Sequence, residues 1–502
     1  MKQLSIILTI LIFIDGSLLA QTIPVKIVNH SDIADDSIFV AIIGQQQENH
    51  NLFLWVDKDG TQIIQDTLDN SVYRSPELPG QDSMFADCFF QLSEITDNTI
   101  PLQPIISGRV WISENSQLYM RFQNQPGDTI PAGNTQPNIT NPSDPNLKII
   151  YEFIEFTSNN STHGGLFYGN NSRVDAYSRP ISLEVKTDTG NVTLGDSAAH
   201  ADVIARFTEL IIADTTYKHC LDTTNGVIRQ FSKTDAFFHD GIGRHYFKSH
   251  VDAIWDKYKT DTLRFKDPNG NLWFGLVNTY DTLTFIGKSL GNLGQVGQIA
   301  GRPTTIDIWG GQGVLAQTIQ NPPNDKNVQK WLCAAFHRGV IDLTNSDVQD
   351  WNDPTKYYKT PPFNHYAEFW HQPGISIDRL AYGFSYDDVN KQSSSLPASK
   401  PDTIIIHYGW YDDLWGSSVS EAMPMQPIKV YPNITSNRCT VSGLNSSYLL
   451  NIIDLNGQLL QSIKLNPNLD KIDLDLSDYS NGLYFIQVHS KSGIGLAKVI
   501  RR

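Results

Sequence analysis

Alternation of apolar and polar residues, interrupted every few positions by turn-forming residues, constrains the fold of this chain most strongly. It runs from Ile23 to about Phe122 in short segments such as GRVWIS and LYMRF, which we predict to form a hairpin from Gly108 to Phe122. A period of two places successive side chains on opposite faces of a sheet. The first part of the chain is therefore predicted to be β-structure.

A pattern with helical period begins near Asp196, in DSAAHADVIARFTELI. Val203, Phe207 and Leu210 fall on one stripe of this segment, and Asp196 is a candidate cap. Two more helices are predicted, in GRHYFKSHVDAIWDKYK and NVQKWLCAAFHRG, with strands around the turn DPNGN between them. Residues 200–375 are thus predicted to be a mixed α/β part inserted into the β-rich part.

Both ends of the chain differ from its middle. Residues 1–20 carry a lysine, an apolar run and a small residue, the pattern of a secretory signal peptide. The main module is predicted to span 21–410, and 411–428 reads as a linker. The last segment, 429–502, alternates strongly and contains a hairpin signal at DLNGQ, so we predict a small β-sandwich there.

Composition excludes several kinds of partner. A formal charge of -15 and a pI near 5.2 disfavour binding to nucleic acid or to an anionic membrane. Beyond the N-terminal run, no stretch reaches the ~20 apolar residues of a membrane span. We therefore expect an exported, soluble monomer with a neutral partner and no cofactor. Four cysteines without CxxC spacing make zinc improbable and leave disulfide pairing open: Cys88, Cys220, Cys333 and Cys439.

The stretch YEFIEFT, from Tyr151 to Thr157, places two acids in an otherwise apolar strand. Strand alternation puts Glu155 on the face of Tyr151 and Thr157, and Glu152 on the opposite face. A carboxylate removed from water costs free energy unless it is paired, protonated or hydrated. At least one of these acids is therefore expected to have a specific role.

Two carboxyl groups in one cleft are the minimum needed to hydrolyse a glycosidic bond. Glu155 is the candidate general acid, because a partly dry aromatic face favours the protonated form. Asp175, in NNSRVDAYSRPISLEV, is the candidate partner, since a hairpin through STHGGLFYGNNS would bring it to the same side. Glu152 is predicted to be an ion-pair or edge residue.

The main module resembles glycoside hydrolase family 64, the laminaripentaose-producing β-1,3-glucanases. The resemblance rests on VKIVNHS, SGRVWIS, NPSDPNLKIIYEFIEFT, SRVDAYSRPISLEV, RPTTIDIW, AAFHRGV, NHYAEFWHQ and YGFSYDDV, in the order of the family. It implies a β-rich α+β fold: a thaumatin-like β-barrel or sandwich packed on a mixed α/β domain, with a wide groove between them.

The resemblance also implies a mechanism, an inverting cleavage of β-1,3-glucan. Glu155 in IEFT matches the family's general acid, and Asp175 in VDAYSRP matches its general base. Tyr168 stands where the better-known members have tryptophan. The residues implied to contact substrate around this pair are Thr157, Asn159, Tyr168 and Ser172.

Two further segments supply candidates. In YGFSYDDV, adjacent residues of a strand face opposite sides, so we predict that Asp388 lines the groove and that Asp387 is structural. In NHYAEFWHQ, His371 is predicted to contact a sugar hydroxyl, because the segment lacks an HExxH arrangement for a metal. No metal site is predicted.

The last module resembles the type A sorting domain of the type IX secretion system, in its YPN, its NGLYFIQV strand and its KVIRR end. This implies the secretion machinery as a partner, passage across the outer membrane of a Bacteroidota-type cell, and release or surface attachment. The chain is thus predicted to be a secreted endo-β-1,3-glucanase acting on laminarin or curdlan. The alternatives are a non-catalytic thaumatin-like glucan-binding protein and a hydrolase of another glycan, such as a β-1,4-linked one.

Overall fold

The computed structural model divides into two compact units, one up to residue 414 and one from residue 415. The predicted signal peptide, and the predicted linker except Ile428, lie outside the described residues. The structure describes residues 22–73, 84–127, 129–139, 141, 143–159, 165–223, 225–229, 241–289, 292–317, 324–409, 428–444, 447–454, 459–466, 468–490 and 493–502.

The first unit is built mainly of strands, and its α-helices among the described residues begin at His200. Its strands are β1 (Ile23–Asn29), β2 (Ile38–Gln46), β3 (Phe53–Val56), β4 (Gln62–Ile64), β5 (Asn70–Tyr73), β6 (Met84–Ala86), β7 (Phe90–Gln91), β8 (Thr99–Leu102), β9 (Ile105–Glu114), β10 (Phe122–Asn124), β11 (Pro131–Asn134), β12 (Tyr151–Asn159), β13 (Leu166–Asn171), β14 (Ala176–Tyr177), β15 (Ile181–Thr187), β16 (Gly190–Gly195), β17 (Leu221–Asp222), β18 (Val227–Arg229), β19 (Leu263–Lys266), β20 (Leu272–Val277), β21 (Thr282–Ser289), β22 (Asn292–Ala300), β23 (Gln349–Asp350), β24 (Ser395–Ser399) and β25 (Pro401–Tyr408). Its helices are α1 (His200–Ala213), α2 (Lys248–Lys257), α3 (Thr305–Gly310), α4 (Asn324–Arg338) and α5 (His365–Trp370).

Two large sheets form a sandwich. One has the order β16-β15-β25-β1-β8, and the other has the order β24-β13-β12-β9-β2-β3-β4, with β7 added beside β2. Side chains from both sheets, such as Val25 and Ile404 from the first and Val110 and Ile154 from the second, share one apolar core. Within the described residues neither sheet closes on itself. The β-rich α+β class is therefore confirmed, a closed barrel is wrong, and the sandwich alternative applies.

The helices belong to a second core, and in sequence they lie between the sandwich strands β16 and β24. A sheet of order β22-β21-β20-β19-β23 packs with the helices, and the predicted face of α2 is buried there, with Val251, Ile254 and Trp255 at 2% exposure or less. The DPNGN turn joins β19 to β20 as predicted. No helix in the part of the chain that the structure describes combines the length and the apolar character that membrane crossing requires.

Two local predictions are wrong. β9 pairs with β2 and β12 and forms no hairpin with the residues up to Phe122, while β10 pairs with β11. α1 begins at His200, so Asp196 does not cap it. The carboxylate of Asp196 instead accepts the backbone N–H of Ile181 at 2.9 Å. In both cases a long-range partner replaces the local one that the sequence favours.

The second unit is a β-structure with its own apolar core. Its two sheets have the orders β26-β28-β31 and β27-β33-β32-β29-β30, as predicted for a small sandwich. Its strands are β26 (Lys429–Tyr431), β27 (Ile434–Thr435), β28 (Arg438–Ser442), β29 (Ser447–Asp454), β30 (Leu459–Lys464), β31 (Lys471–Asp475), β32 (Gly482–Ser490) and β33 (Gly493–Arg501).

Candidate active site

The alternation in β12 separates the two glutamates of YEFIEFT as predicted. Residues 152, 154, 156 and 158 are buried, whereas 151, 153, 155, 157 and 159 are only partly covered. Glu155 and Thr157 therefore lie on the outer face of the eight-stranded sheet, away from the core of the sandwich. The side chain of Glu155 is 35% exposed.

The neighbouring strands complete the surroundings of Glu155. In the antiparallel registers it lies directly opposite Arg109 of β9 and Asn170 of β13. Thr157 lies opposite Tyr168, whose ring is 49% exposed. Directly opposite side chains on one face are within contact distance of each other. The predicted acid and two of the predicted substrate contacts are thus brought together by sheet pairing.

These side chains line an open cleft of about 650 Å³ that crosses the sheet from β24 to β3. Its wall carries hydroxyls, amides and aromatic rings, the groups that hydrogen-bond to and stack on sugars. Residues in this wall include Phe53, Ser107, Trp111, Asn134, Tyr168 and Asn170.

Arg109 is the main charged neighbour of Glu155. Its Nη2 lies 2.5 Å and its Nε 3.0 Å from Oε1 of Glu155, and its Nη1 also donates to Gln136. The guanidinium carbon lies 4.9 Å from the centre of the Phe153 ring and 5.5 Å from that of Trp111. Arg109 was not predicted from the sequence, although its place in SGRVWIS, two residues before Trp111 in an alternating strand, was a usable signal.

Asp175 lies in a bend immediately before β14, not in a strand. It is exposed and lines a small recess together with Ser172, and this recess shares Arg109, Trp111 and Gln136 with the main cleft. The hairpin of β12 and β13 that the prediction required is present. The two predicted catalytic acids therefore lie in adjoining recesses that have a common wall.

The surroundings of Asp175 alter its protonation. Although its side chain reaches solvent, the walls of the recess exclude much of the water around the carboxyl, and this raises the pKa of Asp175 above its ordinary value. The Arg109 guanidinium acts in the opposite direction, and the charge of Glu155 raises the pKa further. Asp175 is thus electrostatically coupled to both groups.

Glu152 has a structural role, as predicted. It is buried and accepts hydrogen bonds from Nη1 of Arg173 at 2.7 Å and from the backbone N–H groups of Ser178 and Arg179 at 2.5 and 2.9 Å. Arg173 also pairs with the buried carboxylate of Asp196. This cluster fixes the chain on both sides of Asp175, because Arg173 and Ser178 flank that residue in sequence.

Three other predicted contacts occupy defined positions. Thr157 accepts the backbone N–H of Ser107 through its Oγ1 at 3.1 Å. Asn159 ends β12, and its buried Oδ1 has no partner among the described residues. Ser172 accepts the backbone N–H of Val174 at 3.3 Å. Within the described part of the chain, neither the Thr157 nor the Ser172 hydroxyl donates a hydrogen bond.

His371 and Asp387 form a pair in which Asp387 is buried and the His371 side chain is 10% exposed. Nε2 of His371 lies 2.8 Å from Oδ2 of Asp387, and its Nδ1 lies 2.7 Å from the carbonyl oxygen of Arg379. Asp387 also accepts from Arg338 and is fully buried, which agrees with the structural role predicted for one acid of the pair, but both acids lie in a turn and not in the predicted strand. Both ring nitrogens of His371 thus have protein partners.

Asp388 is exposed and interacts electrostatically with Tyr382. Burial raises the pKa of Tyr382, and the charges of Asp388, Asp387 and Glu155 act in the same direction. The backbone carbonyl of Tyr382 accepts the N–H of Arg173 at 2.9 Å. Tyr382 was missed by the sequence analysis, since no local pattern distinguishes it.

Among the described residues, no cluster of three histidine, cysteine or acidic side chains could hold a metal ion. All four cysteines are buried and free. Removal from water raises the pKa of the Cys439 thiol to about 11, which keeps it protonated.

An open cleft on a β-sandwich, lined by aromatic, amide and hydroxyl groups around a pair of carboxyls, is typical of glycoside hydrolases. Residues 21–407 match the sequence model of glycoside hydrolase family 64, described as β-1,3-glucanase, and the chain belongs to this family. Residues 429–502 match the model of a secretion system C-terminal sorting domain, so the protein is secreted or held at the cell surface. Both resemblances noted in the sequence are thereby confirmed.

Two curated relatives carry the same name, glucan endo-1,3-β-glucosidase. The proteins from Arthrobacter sp. (strain YCWD3) and from Cellulosimicrobium cellulans are each 27% identical over 309 residues, or 60% of this chain. The match spans only 52% of the length of each relative.

Solved structures agree with the fold. A β-1,3-glucanase domain of family 64 from Clostridium beijerinckii is 26% identical, with a TM-score of 0.66 over 78% of this chain and 98% of that one. A laminaripentaose-producing β-1,3-glucanase of the same family from Paenibacillus barengoltzii is 25% identical, with a TM-score of 0.54 over 78% of this chain and 75% of that one. The latter has also been solved with laminarihexaose.

Proposed function

We propose that the protein is a secreted endo-β-1,3-glucanase that hydrolyses glucans such as laminarin and curdlan to short oligosaccharides with inversion. Glu155 acts as the general acid and Asp175 as the general base. One observation carries the proposal: the two carboxyl groups lie in adjoining recesses of one cleft and interact electrostatically. Family membership and the two glucan endo-1,3-β-glucosidases support the choice of substrate.

The proposed chemistry uses the two acids on opposite sides of the scissile bond. Glu155 gives its proton to the glycosidic oxygen, and Asp175 removes a proton from the water that attacks the anomeric carbon. Inversion needs a separation of roughly 6.5 to 9.5 Å so that this water fits. The raised pKa of Asp175 makes it a stronger base than an ordinary aspartate.

Groups along the cleft would bind the sugar chain. The exposed ring of Tyr168 offers a stacking surface, and Thr157, Asn159 and Ser172 offer hydrogen bonds to hydroxyls. The proposed course of the glucan follows the outer face of the eight-stranded sheet, in a thaumatin-like arrangement with the α/β part beside it.

The two remaining candidates are assigned different parts. Asp388, exposed near Tyr382, is proposed to contact glucan at the edge of the cleft. His371 is proposed to act behind it, since its two ring nitrogens hold Asp387 and a backbone carbonyl. The sorting domain is proposed to engage the type IX secretion machinery during export.

The test is hydrolysis of curdlan by Glu155→Gln and Asp175→Asn. Both variants should fold normally and lose nearly all activity, because each change removes a proton-transfer group. Asp188→Asn is the matched control, since Asp188 is an exposed carboxylate in the turn between β15 and β16, on the other sheet. Near-normal activity in either active-site variant would remove that residue from the mechanism.

A glucan-binding protein without hydrolytic activity is the second candidate. The ion pair between Arg109 and Glu155 favours it, because the pair occupies the carboxyl group that hydrolysis would need. Wild-type protein that sediments with curdlan but releases no oligosaccharide would support this candidate and refute the first.

A further inference from the structure

Arg109 occupies the wall shared by the two recesses, and the function proposed above makes this position significant. Its guanidinium holds Glu155 through two N–H groups and acts electrostatically on Asp175. The rings of Phe153 and Trp111 lie against the same guanidinium. A single positive charge thus serves both carboxyl groups.

This arrangement conflicts with the proposed chemistry unless the charge moves. A carboxyl group held by a guanidinium is favoured in its ionised form, whereas a general acid must carry a proton. The general base must be ionised and benefits from a nearby positive charge. The proposed chemistry therefore needs the guanidinium of Arg109 to pair with Asp175, whereas in this structure it pairs with Glu155.

We propose that Arg109 is a positioning residue that exchanges between the two acids: it pairs with Glu155 in this structure and shifts to Asp175 when a sugar unit enters the cleft. The inference rests on the proposed function. A hydroxyl or glycosidic oxygen of the sugar would replace the guanidinium at Oε1 of Glu155. Arg109 would then stabilise the charge on Asp175 at the moment when that residue must accept a proton from water.

The position of Arg109 favours such a shift. Arg109 lines both recesses, and its Nη1 donates to Gln136, which also lines both. The rings of Phe153 and Trp111 lie 4.9 and 5.5 Å from the guanidinium carbon and keep an aromatic surface beside its charge.

Other charged or titratable groups also surround Asp175, so Arg109 is not the only group that affects the pKa of Asp175. Tyr151 of β12 and Tyr366 of α5 both interact with Asp175 electrostatically. The strand β18 that pairs with β14 carries Arg229, opposite Ala176. These neighbours stay in place in any variant of Arg109, so a change in pH dependence reports Arg109 itself.

The test compares pH profiles of hydrolysis for the wild type, Arg109→Met and Arg109→Lys. The acidic limb of kcat/KM reports the base in the free enzyme, and that of kcat reports it in the complex. Loss of the positive charge raises the pKa of Asp175, so the acidic limb should move to higher pH. If Arg109 moves to Asp175 on binding, the limb of kcat should move by about one pH unit or more, and further than that of kcat/KM.

The lysine variant keeps the charge and should retain most of the wild-type position of the kcat limb. Arg264→Met, a change in β19, is the control and should leave both limbs unchanged. Equal shifts in the two limbs, or no shift, would overturn the exchange. Failure of the wild type to hydrolyse glucan would instead refute the proposed function, so the two failures are distinguishable.

Discussion

The buried guanidinium of Arg173 gives the sharpest prediction about stability. Its side chain is 1% exposed and pairs with Glu152 and Asp196, which are 4% and 0% exposed. It also lies over the rings of Tyr177 and Trp370, at 5.0 and 5.5 Å. Arg173→Met removes the charge that both carboxylates need while keeping a side chain of similar length.

The magnitude follows from what remains in the variant. Glu152 would keep two backbone N–H donors and Asp196 would keep one, from Ile181, so neither is wholly unsatisfied. Both would still be buried without a counter-charge. Removing one partner of a buried ion pair costs about 3–5 kcal/mol, and we expect Arg173→Met to lower the free energy of unfolding by about that amount.

Urea unfolding followed by tryptophan fluorescence measures this loss. Residues 429–502 contain no tryptophan, so the signal comes from outside the sorting domain. Arg302→Met is the matched control, because Arg302 pairs with three carboxylates, Asp252, Asp256 and Asp281, at an exposed surface. Exposed pairs contribute little, so this variant should lose only a small fraction of what Arg173→Met loses. Equal losses in the two variants would refute the argument that burial, not the number of ion pairs, sets the cost.

Two other predictions concern binding and pH. Tyr168→Ala should raise KM on laminarin about three- to tenfold with little change in kcat, because stacking contributes about 0.5–1.5 kcal/mol. Tyr280→Ala is the control and should change neither constant, since Tyr280 lies in a turn and is 86% exposed. A large fall in kcat for Tyr168→Ala would contradict a purely binding role. Burial lowers the pKa of His337 to about 4. The neutral ring therefore contributes fully to stability above pH 6.5, and this contribution is lost as the pH falls from 6.5 towards 4. The loss in unfolding free energy is about 3 kcal/mol. His337→Gln should therefore flatten the dependence of unfolding free energy on pH in this window; an unchanged slope would exclude His337 as a cause.

Period-two patterning was sufficient to predict the faces of β12. It separated Glu152 from Glu155 before any partner strand was known, and the burial pattern agrees. The buried face of α2 was likewise predictable, because its apolar stripe is local in sequence. In α4, by contrast, all residues from Trp331 to Arg338 are buried, so a stripe does not describe its packing. Local periodicity thus determined which side of β12 and of α2 is buried.

Pairing between distant segments was not predictable in the same way. Arg109 faces Glu155 only because β9 and β12 pair in one register, and the two residues are 46 positions apart. The predicted hairpin after Gly108 failed for the same reason, since β9 lies between two strands from other parts of the chain. Asp196, a plausible helix cap by spacing, is instead used by Arg173.

The stereochemistry of the first product tests the central claim most directly. Inversion at a β-1,3 linkage by Glu155 and Asp175 releases the α-anomer first, whereas retention releases the β-anomer. Proton NMR of laminarin during the first minutes of hydrolysis resolves the two anomers before mutarotation equalises them. We predict an initial excess of the α-anomer; an initial excess of the β-anomer would contradict the proposed roles of the two carboxyl groups.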